Sequence, residues 1–197
     1  MQEDDIIEKG TGKMRIKPMD MISGKINNGL KSLPKEIGNL TNLEQLFIAN
    51  SEIETLPDEL ANLVSCTDVE LYNCPKMKQF PMALAQMPNL ALLNLANNRQ
   101  WSSEEVLKGF KGLATGPSRE KLQIIYFNEN NLEVVPKEIK NMKKLGLLDF
   151  ASNKIHTIEE AWGNDIKPVQ LYLDNNKLTG FPVNADGIFC ICVHSPE

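Results

Sequence analysis

The sequence predicts a solenoid built from stacked copies of one short unit, and three observations lead to this prediction. A 23-residue period governs the units that begin at Leu43, Leu122 and Leu145. In each unit, positions 4 and 6 are apolar, which is the alternation of a short strand with one buried face. The further apolar positions, 11, 14, 18 and 21, cannot bury themselves within a single unit. A core therefore forms only when neighbouring units stack.

Position 9 of the unit is mostly asparagine. The residues there are Asn28, Ser51, Cys74, Asn98, Asn130, Asn153 and Asn176. A buried asparagine needs partners for its amide, and we expect the turning backbone to supply them. Ser51 and Cys74 depart from this pattern and should bind the turn less firmly. A Leu-Pro or similar pair follows at positions 14 and 15, where proline turns the chain away from the strand.

The pattern L-x-x-L-x-L-x-x-N-x-L, followed by L-P-x-x-I-x-N-L, resembles the 23-residue type of leucine-rich repeat. The resemblance covers residues 27–190 in about seven units. It implies an α/β fold, a right-handed horseshoe with a parallel sheet on the concave side. The convex side is then mostly irregular or 3-10 helical. Such repeats occur in intracellular signalling scaffolds and in bacterial surface proteins, so the resemblance implies a protein–protein interaction module.

Two units depart from the period. The unit that begins at Cys66 carries one extra residue, and the unit from Leu90 extends to Lys121. In that extension Ser102 and Glu105 form a capping box, an apolar stripe follows, and a Gly-Pro pair ends it, so it predicts one longer helix. We place this helix on the convex side and expect it to fill space between units rather than to dock a partner. The stripe consists of Val106, Leu107, Phe110 and Leu113.

The repeats divide the chain into three parts. Residues 1–26 form an N-terminal flanking or cap segment, residues 27–190 the repeats, and residues 191–197 the start of a further strand. The apolar C-terminal end predicts either a truncated chain or an end that pairs with a second copy. The acidic start QEDDIIEKGTGK resembles the linker after the lipid-bearing cysteine of exported bacterial lipoproteins. This resemblance favours an extracellular or cell-surface location, with the signal removed, over a cytoplasmic one.

Charge and hydropathy exclude several classes of function. The net charge of -5 argues against a nucleic-acid partner, whose phosphates require a basic surface. No apolar run reaches the ~18 residues of a transmembrane helix. The first 25 residues contain no apolar segment of a signal peptide. Four cysteines are too few for a disulfide scaffold, so we expect reduced, buried thiols.

In the fold that the resemblance implies, positions 3, 5, 7 and 8 point out of the concave sheet. In the six clearest units these 24 residues include all three tyrosines, several acids and no Lys, Arg or His. Such a surface suits a protein partner that presents a basic or mixed apolar-basic surface. The predicted partner-binding residues are Phe47, Asp68, Glu70, Tyr72, Leu92, Ile124, Tyr126, Glu129, Leu147, Asp149, Tyr172 and Asp174.

No motif for catalysis or for a cofactor is found. The sequence offers no Ser-His-acid arrangement and no phosphate-binding loop, and His156 is expected to be solvated in a loop. Cys190, Cys192 and His194 would share one face of a strand and could ligate zinc, but a fourth ligand is not evident. Burial in an eighth strand is the favoured interpretation. Two alternatives to protein binding stay open: a glycan or cell-surface binding module, and the targeting domain of a larger enzyme.

Overall fold

One open sheet of eight parallel strands runs through the molecule in chain order. The computed structural model describes residues 30–158 and 170–179 in full and the backbone of residues 13–16 and 190–192. The strands are β1 (Lys13–Ile16), β2 (Gln45–Ala49), β3 (Asp68–Tyr72), β4 (Leu92–Asn94), β5 (Ile124–Tyr126), β6 (Leu147–Asp149), β7 (Gln170–Tyr172) and β8 (Cys190–Cys192). The predicted α/β solenoid with a parallel sheet is confirmed.

The register of the sheet keeps equivalent unit positions side by side. Position 4 residues Leu93, Ile125, Leu148 and Leu171 pair in a line across four strands, and each is buried. Positions on either side of them are half-buried, because strand side chains alternate between the core and the open face. The apolar interior predicted from the period is thus the shared core of stacked units.

The segments that return from one strand to the next are short. They include 3-10 turns at Lys35–Asn39, Asp58–Asn62, Pro117–Glu120 and Lys137–Asn141, and the helices α1 (Ala83–Gln86) and α2 (Ser103–Thr115). Three of the 3-10 turns begin directly after a proline in extended backbone, as at Pro57, with φ -72° and ψ 147°. Proline therefore turns the chain, as its fixed φ predicts.

Helix α2 is the longer helix that the sequence predicts. Ser102 Oγ accepts the Glu105 N–H at 3.2 Å, which is the first half of the predicted capping box. The Glu105 carboxylate, however, accepts the Phe80 N–H at 3.4 Å and so ties the helix to the preceding unit. The predicted stripe is buried at Val106, Phe110 and Leu113.

An aromatic cluster fills the space beneath α2. The Phe110 ring centroid lies 5.5 Å from that of Phe127 and 5.8 Å from that of Phe150, both in edge-on geometry. Trp101 lies 5.5 Å from Phe80 on the other side. The helix thus contributes side chains to the core of the enlarged unit.

The preceding unit has one extra residue after Cys74. Lys76, at the regular position 11, is exposed, and Met77 is buried in its place.

The asparagine ladder at position 9 is confirmed. Asn98 is fully buried; its Nδ2 donates to Leu71 O at 2.7 Å, and its Oδ1 accepts the Cys74 N–H at 2.9 Å. Asn130, Asn153 and Asn176 likewise donate to the position 6 carbonyl of the unit before. Asn130 accepts the position 9 N–H of that unit, whereas Asn153 and Asn176 accept the position 11 N–H. The departures bind less firmly, because Cys74 Sγ reaches the Ile48 and Tyr72 carbonyls only at 3.9 and 3.7 Å.

The first strand differs from the sequence assignment. β1 begins at Lys13, which pairs with Gln45 at position 3, within the segment that the sequence assigns to the N-terminal flank. The later part of this unit keeps the repeat register, because Ser32 pairs with Thr55 at position 13, and the assignment of Asn28 to position 9 stays a prediction. The segment KMRI lacks the leucine pattern on which the assignment rested. Asn28 lies outside the described residues, and the boundaries 1–26, 27–190 and 191–197 remain predictions.

Cys66 and Cys74 are free thiols within the core, as the cysteine count predicts. Burial is the largest effect on each thiol, and it raises the pKa of both from 9.0 to about 12. A neutral thiol of this kind is a poor nucleophile.

We expect Cys66 and Cys74 to resist alkylation at pH 8 until the protein unfolds. In addition, stability should fall as pH rises from about 9 towards 12, because the unfolded thiols ionise first; the slope is about 1.4 kcal/mol per pH unit and thiol. Thiol-reagent titration with and without denaturant, in a background with Cys190 and Cys192 replaced by serine, tests the first point. Urea melts at pH 8 and 10 test the second, with Cys66→Ala as the control that removes half of the thiol slope.

Candidate functional site

Three rows of side chains line the open face of the sheet, at unit positions 3, 5 and 7. Strand burial alternates along β2 to β7, so positions 3 and 5 face away from the core. Position 7 is half-buried in every unit except at Ala96, which is buried. Row 3 is Gln45, Asp68, Leu92, Ile124, Leu147 and Gln170; row 5 is Phe47, Glu70, Asn94, Tyr126, Asp149 and Tyr172; row 7 is Ala49, Tyr72, Ala96, Asn128, Ala151 and Asp174. We call these rows the concave surface.

The register extends two of these rows into β1. Lys13 pairs with Gln45 in row 3, and Arg15 pairs with Phe47 in row 5. Basic residues are predicted to lie off this face, and β1 is the exception, since its segment KMRI lacks the repeat pattern. The basic positions stand at the N-terminal end of the rows, whereas the rows from β2 to β7 contain neither Lys nor Arg.

An apolar strip crosses the middle of the concave surface. Leu92, Ile124 and Leu147 are direct register partners on three adjacent strands, and all three are half-buried. Elsewhere among residues 30–158 and 170–179 the one exposed large hydrophobic side chain is Val64. The outer side of α2 is polar, with Glu104 and Lys108 exposed. The concave surface therefore carries a line of half-buried apolar side chains across three adjacent strands.

The acidic residues in the N-terminal half of the concave surface are held by side-chain amides. Gln45 Nε2 donates to Asp68 Oδ2 at 2.6 Å, and Asn94 Nδ2 donates to Glu70 Oε2 at 3.2 Å. Each bond joins adjacent strands within one row, so the bonds fix the carboxylates along the surface.

Asp149 lies in a different environment. Its Oδ1 accepts the Ala151 N–H at 2.9 Å, while the side chain is half-buried between β5 and β7. Burial raises the pKa of this carboxyl above its ordinary value; the Ala151 hydrogen bond opposes the rise and the negative charge of Asp174 adds to it. The ionised carboxylate is therefore less favourable here than in water.

Position 8 belongs to the turn and not to the concave surface. All six residues there have positive φ: Asn50, Asn73, Asn97, Glu129, Ser152 and Asn175, between 49° and 58°. Asparagine tolerates this left-handed backbone better than most residues, which explains its frequency at this position. Asn50 is buried, whereas the other five side chains are half-buried or exposed, so backbone geometry and an open surface both favour polar residues here.

Glu129 is the one predicted partner-binding residue that falls on this turn. Its backbone φ is 58°, and its carboxylate forms an ion pair with Arg99 Nη2 at 3.0 Å. Arg99 Nε also donates to the Glu129 carbonyl at 3.3 Å. Glu129 thus serves the turn between two units, and Arg99 offsets its charge at the edge of the concave surface.

Two further sequence predictions concern chemistry. His156 is exposed in the loop, as predicted, with Nδ1 2.9 Å from Thr157 Oγ1. Within the described part of the chain, no group of three or more His, Cys, Asp and Glu side chains is placed to hold a metal ion. Cys190 and Cys192 lie on β8, where only the backbone is described, and His194 lies outside the described residues, so their assignment remains a prediction. No described helix has the length and apolarity needed to cross a membrane.

Solved structures resemble the chain over most of its length. A leucine-rich repeat protein from Bacteroides eggerthii is 31% identical with a TM-score of 0.78, covering 92% of this chain and 34% of that one. A leucine-rich repeat protein from Bacteroides thetaiotaomicron is also 31% identical, with a TM-score of 0.70, covering 91% of this chain and 24% of that one. Internalin C2 from Listeria monocytogenes shares the fold at 17% identity and a TM-score of 0.62, covering 93% of this chain and 80% of that one.

Sequence relatives are longer proteins of diverse kinds. Ras guanine nucleotide exchange factor V of Dictyostelium discoideum is 32% identical over 153 residues, which is 68% of this chain and 8% of that protein. The volume-regulated anion channel subunit LRRC8D of Rattus norvegicus is 26% identical over 138 residues, or 69% of this chain and 15% of that protein. The chain thus spans a small part of each relative. No model of a known protein family matches it.

Proposed function

This chain is a leucine-rich repeat protein, and we propose that it binds a partner protein on its concave surface without catalysing a reaction. The leucine-rich repeat fold is typical of protein–protein interaction modules. The observation that carries the proposal is the concentration of tyrosines and apolar side chains on one open sheet face. Tyrosine and partly exposed aliphatic side chains supply contact area at low entropic cost, as protein interfaces require. The outer side of α2 carries the charged side chains of Glu104 and Lys108.

The partner presents a basic or mixed apolar-basic surface. Row 3 contributes the apolar strip of Leu92, Ile124 and Leu147, while Asp149 and Asp174 place negative charge beside it in rows 5 and 7. Complementary charge speeds the encounter and selects the partner more than it adds affinity. The apolar strip supplies the contact area, and the acidic residues account for the preference for a basic partner.

A Tyr126→Ala, Asp149→Lys double variant should lose the partner, with affinity at least about tenfold lower, since it removes an aromatic anchor and reverses a charge. The measurement is capture on immobilised protein from a mixture of candidate partners. A Leu107→Ala, Glu104→Lys variant on α2 is the matched control, because it truncates one half-buried side chain and reverses one charge on the other side. Circular dichroism first establishes that both variants fold.

A protein kept by the α2 variant and lost by the concave variant supports the proposal. Equal capture by both variants contradicts it, and loss on the α2 variant alone places the site on the helix.

A glycan is the second candidate, favoured by the half-buried rings of Tyr126 and Tyr172 on one row. Salt separates the two, because a basic protein should dissociate as ionic strength rises whereas a neutral glycan should not.

A further inference from the structure

We propose that Tyr126, Asp149 and Tyr172 form a subsite for one lysine or arginine side chain of the partner, an inference that rests on the proposed function. The three residues are consecutive in row 5, on β5, β6 and β7. With strands about 4.8 Å apart, the two tyrosine backbones stand about 9.6 Å apart with the carboxylate between them. Two aromatic side walls and an anionic floor are the elements that bind an organic cation.

Neighbouring positions leave room above the carboxylate. Along β6, Leu147 precedes Asp149 on the same face and Ala151 follows it, so one flank is apolar and the other carries only a methyl group. Three other units carry a bulkier residue at the position of Ala151, as at Tyr72 at the end of β3, and two carry alanine. The small side chain keeps the approach to Asp149 open.

The fold does not need the charge of Asp149. Asn94 occupies the equivalent position on β4, and its Oδ1 accepts the Ala96 N–H at 3.0 Å, as Asp149 Oδ1 accepts the Ala151 N–H at 2.9 Å. A neutral amide therefore performs the same structural task. The carboxylate adds only a negative charge, and it does so where burial makes that charge unfavourable. A half-buried charge that the fold does not need is characteristic of functional positions.

Charge complementarity identifies the occupant as a cation. Asp174 lies close enough to Asp149 to act on it electrostatically, so a second negative charge faces the same space. Neither Lys nor Arg occurs in the rows between β2 and β7, and Arg99 at their edge is engaged by Glu129. A guanidinium or ammonium group would gain charge-assisted hydrogen bonds to the carboxylate and contact with the ring faces. A neutral group would gain only the ring contact.

The test uses a blocked Gly-Arg-Gly peptide and its citrulline counterpart, which has nearly the same shape without the charge. NMR titration follows the Asp149 carboxyl carbon and the rings of Tyr126 and Tyr172. The arginine peptide should shift all three signals and lower the apparent pKa of Asp149, whereas the citrulline peptide should bind at least about tenfold more weakly. Equal binding of the two peptides, or an unchanged Asp149 titration, overturns the proposal.

Matched variants separate the subsite from the general negative field. Asp149→Asn should weaken arginine binding about tenfold while thermal stability is kept or raised, because the bond to Ala151 is retained. Glu44→Gln, which removes one negative charge at an exposed position beside β2 and outside the three rows, should leave binding within about twofold. Tyr172→Phe should retain binding and Tyr172→Leu should weaken it. Equal losses for Asp149→Asn and Glu44→Gln refute a specific subsite.

The two proposals fail in different ways. If partner capture depends on Leu92, Ile124 and Leu147 but tolerates Asp149→Asn, the concave surface is the interface and the subsite is refuted. If the arginine peptide binds as described but no protein is captured through the concave surface, the proposed function is refuted.

Discussion

Replacement of Asn98 with alanine is expected to lower the free energy of unfolding by about 3 kcal/mol. The side chain is fully buried, and its amide serves two units at once. Without it, the Cys74 N–H and the Leu71 carbonyl each lose a partner in a region that water does not reach. A buried group left unpaired costs about 1 to 3 kcal/mol, and the substitution also leaves a small cavity.

Two variants make this prediction specific. Asn176→Ala removes an equivalent set of bonds where the side chain is only half-buried, so water replaces part of them and the loss should be nearer 1 kcal/mol. Asn98→Asp keeps the acceptor but turns a carboxylate oxygen towards carbonyl groups, so it should be at least as harmful as alanine. Urea denaturation of all three variants gives the comparison. Equal losses for Asn98→Ala and Asn176→Ala would falsify the role of burial.

Replacement of Gly116 with alanine is expected to cost about 3 kcal/mol for a steric reason. The added Cβ would lie 2.0 Å from the Ala85 carbonyl oxygen, which belongs to the backbone of α1. Gly116 has φ -75° and ψ 173°, which any residue adopts, so conformational strain is not the cause. Either α1 or the end of α2 must move, and both pack on the core.

Two other glycines serve as controls for Gly116→Ala. In Gly146→Ala the nearest atom would be Gln123 O at 3.7 Å, so stability should change by less than about 0.5 kcal/mol. In Gly112→Ala the new methyl would meet Met82 Cε at 2.7 Å, which is the flexible end of a side chain. The higher helix propensity of alanine offsets about 1 kcal/mol of the steric cost. Thermal and urea melts measure all three. A Gly116→Ala protein as stable as Gly146→Ala would refute the close approach.

Features that repeat were predictable from the sequence, because the same structural requirement selects the same residue type in every unit. The leucines at positions 4 and 6, the asparagine at position 9 and the capped helix beginning after Ser102 all lie where the pattern predicts. Features that depend on a single contact between distant segments were not predictable. The closeness of Gly116 to Ala85 depends on where two irregular units meet, and nothing in either segment signals it.

The candidate site was predictable as a surface but not in its details. Alternation along strands placed Tyr126, Asp149 and Tyr172 on one face, and the register then made them neighbours. The left-handed backbone of position 8 was not inferred, because a polar residue in a turn resembles a polar residue on a surface. The recurrence of asparagine there was the available signal, since left-handed backbone favours it. The role of Arg99 could not be inferred, because its partner Glu129 is 30 residues away in the sequence.

The asparagine ladder gives the molecule a direction. Asn98 binds groups of the preceding unit, and Asn130 in turn accepts the Asn98 N–H at 2.8 Å. Along the described part of this ladder, each asparagine therefore completes a turn of the unit before it. During synthesis from the N-terminus, we therefore expect the ladder bonds of a repeat to form only after its successor has been made. Loss of a unit from the C-terminal side leaves buried backbone N–H and carbonyl groups of its neighbour without their hydrogen-bond partner. Loss of a unit from the N-terminal side leaves mainly the side-chain amide of an asparagine, which can form hydrogen bonds with water.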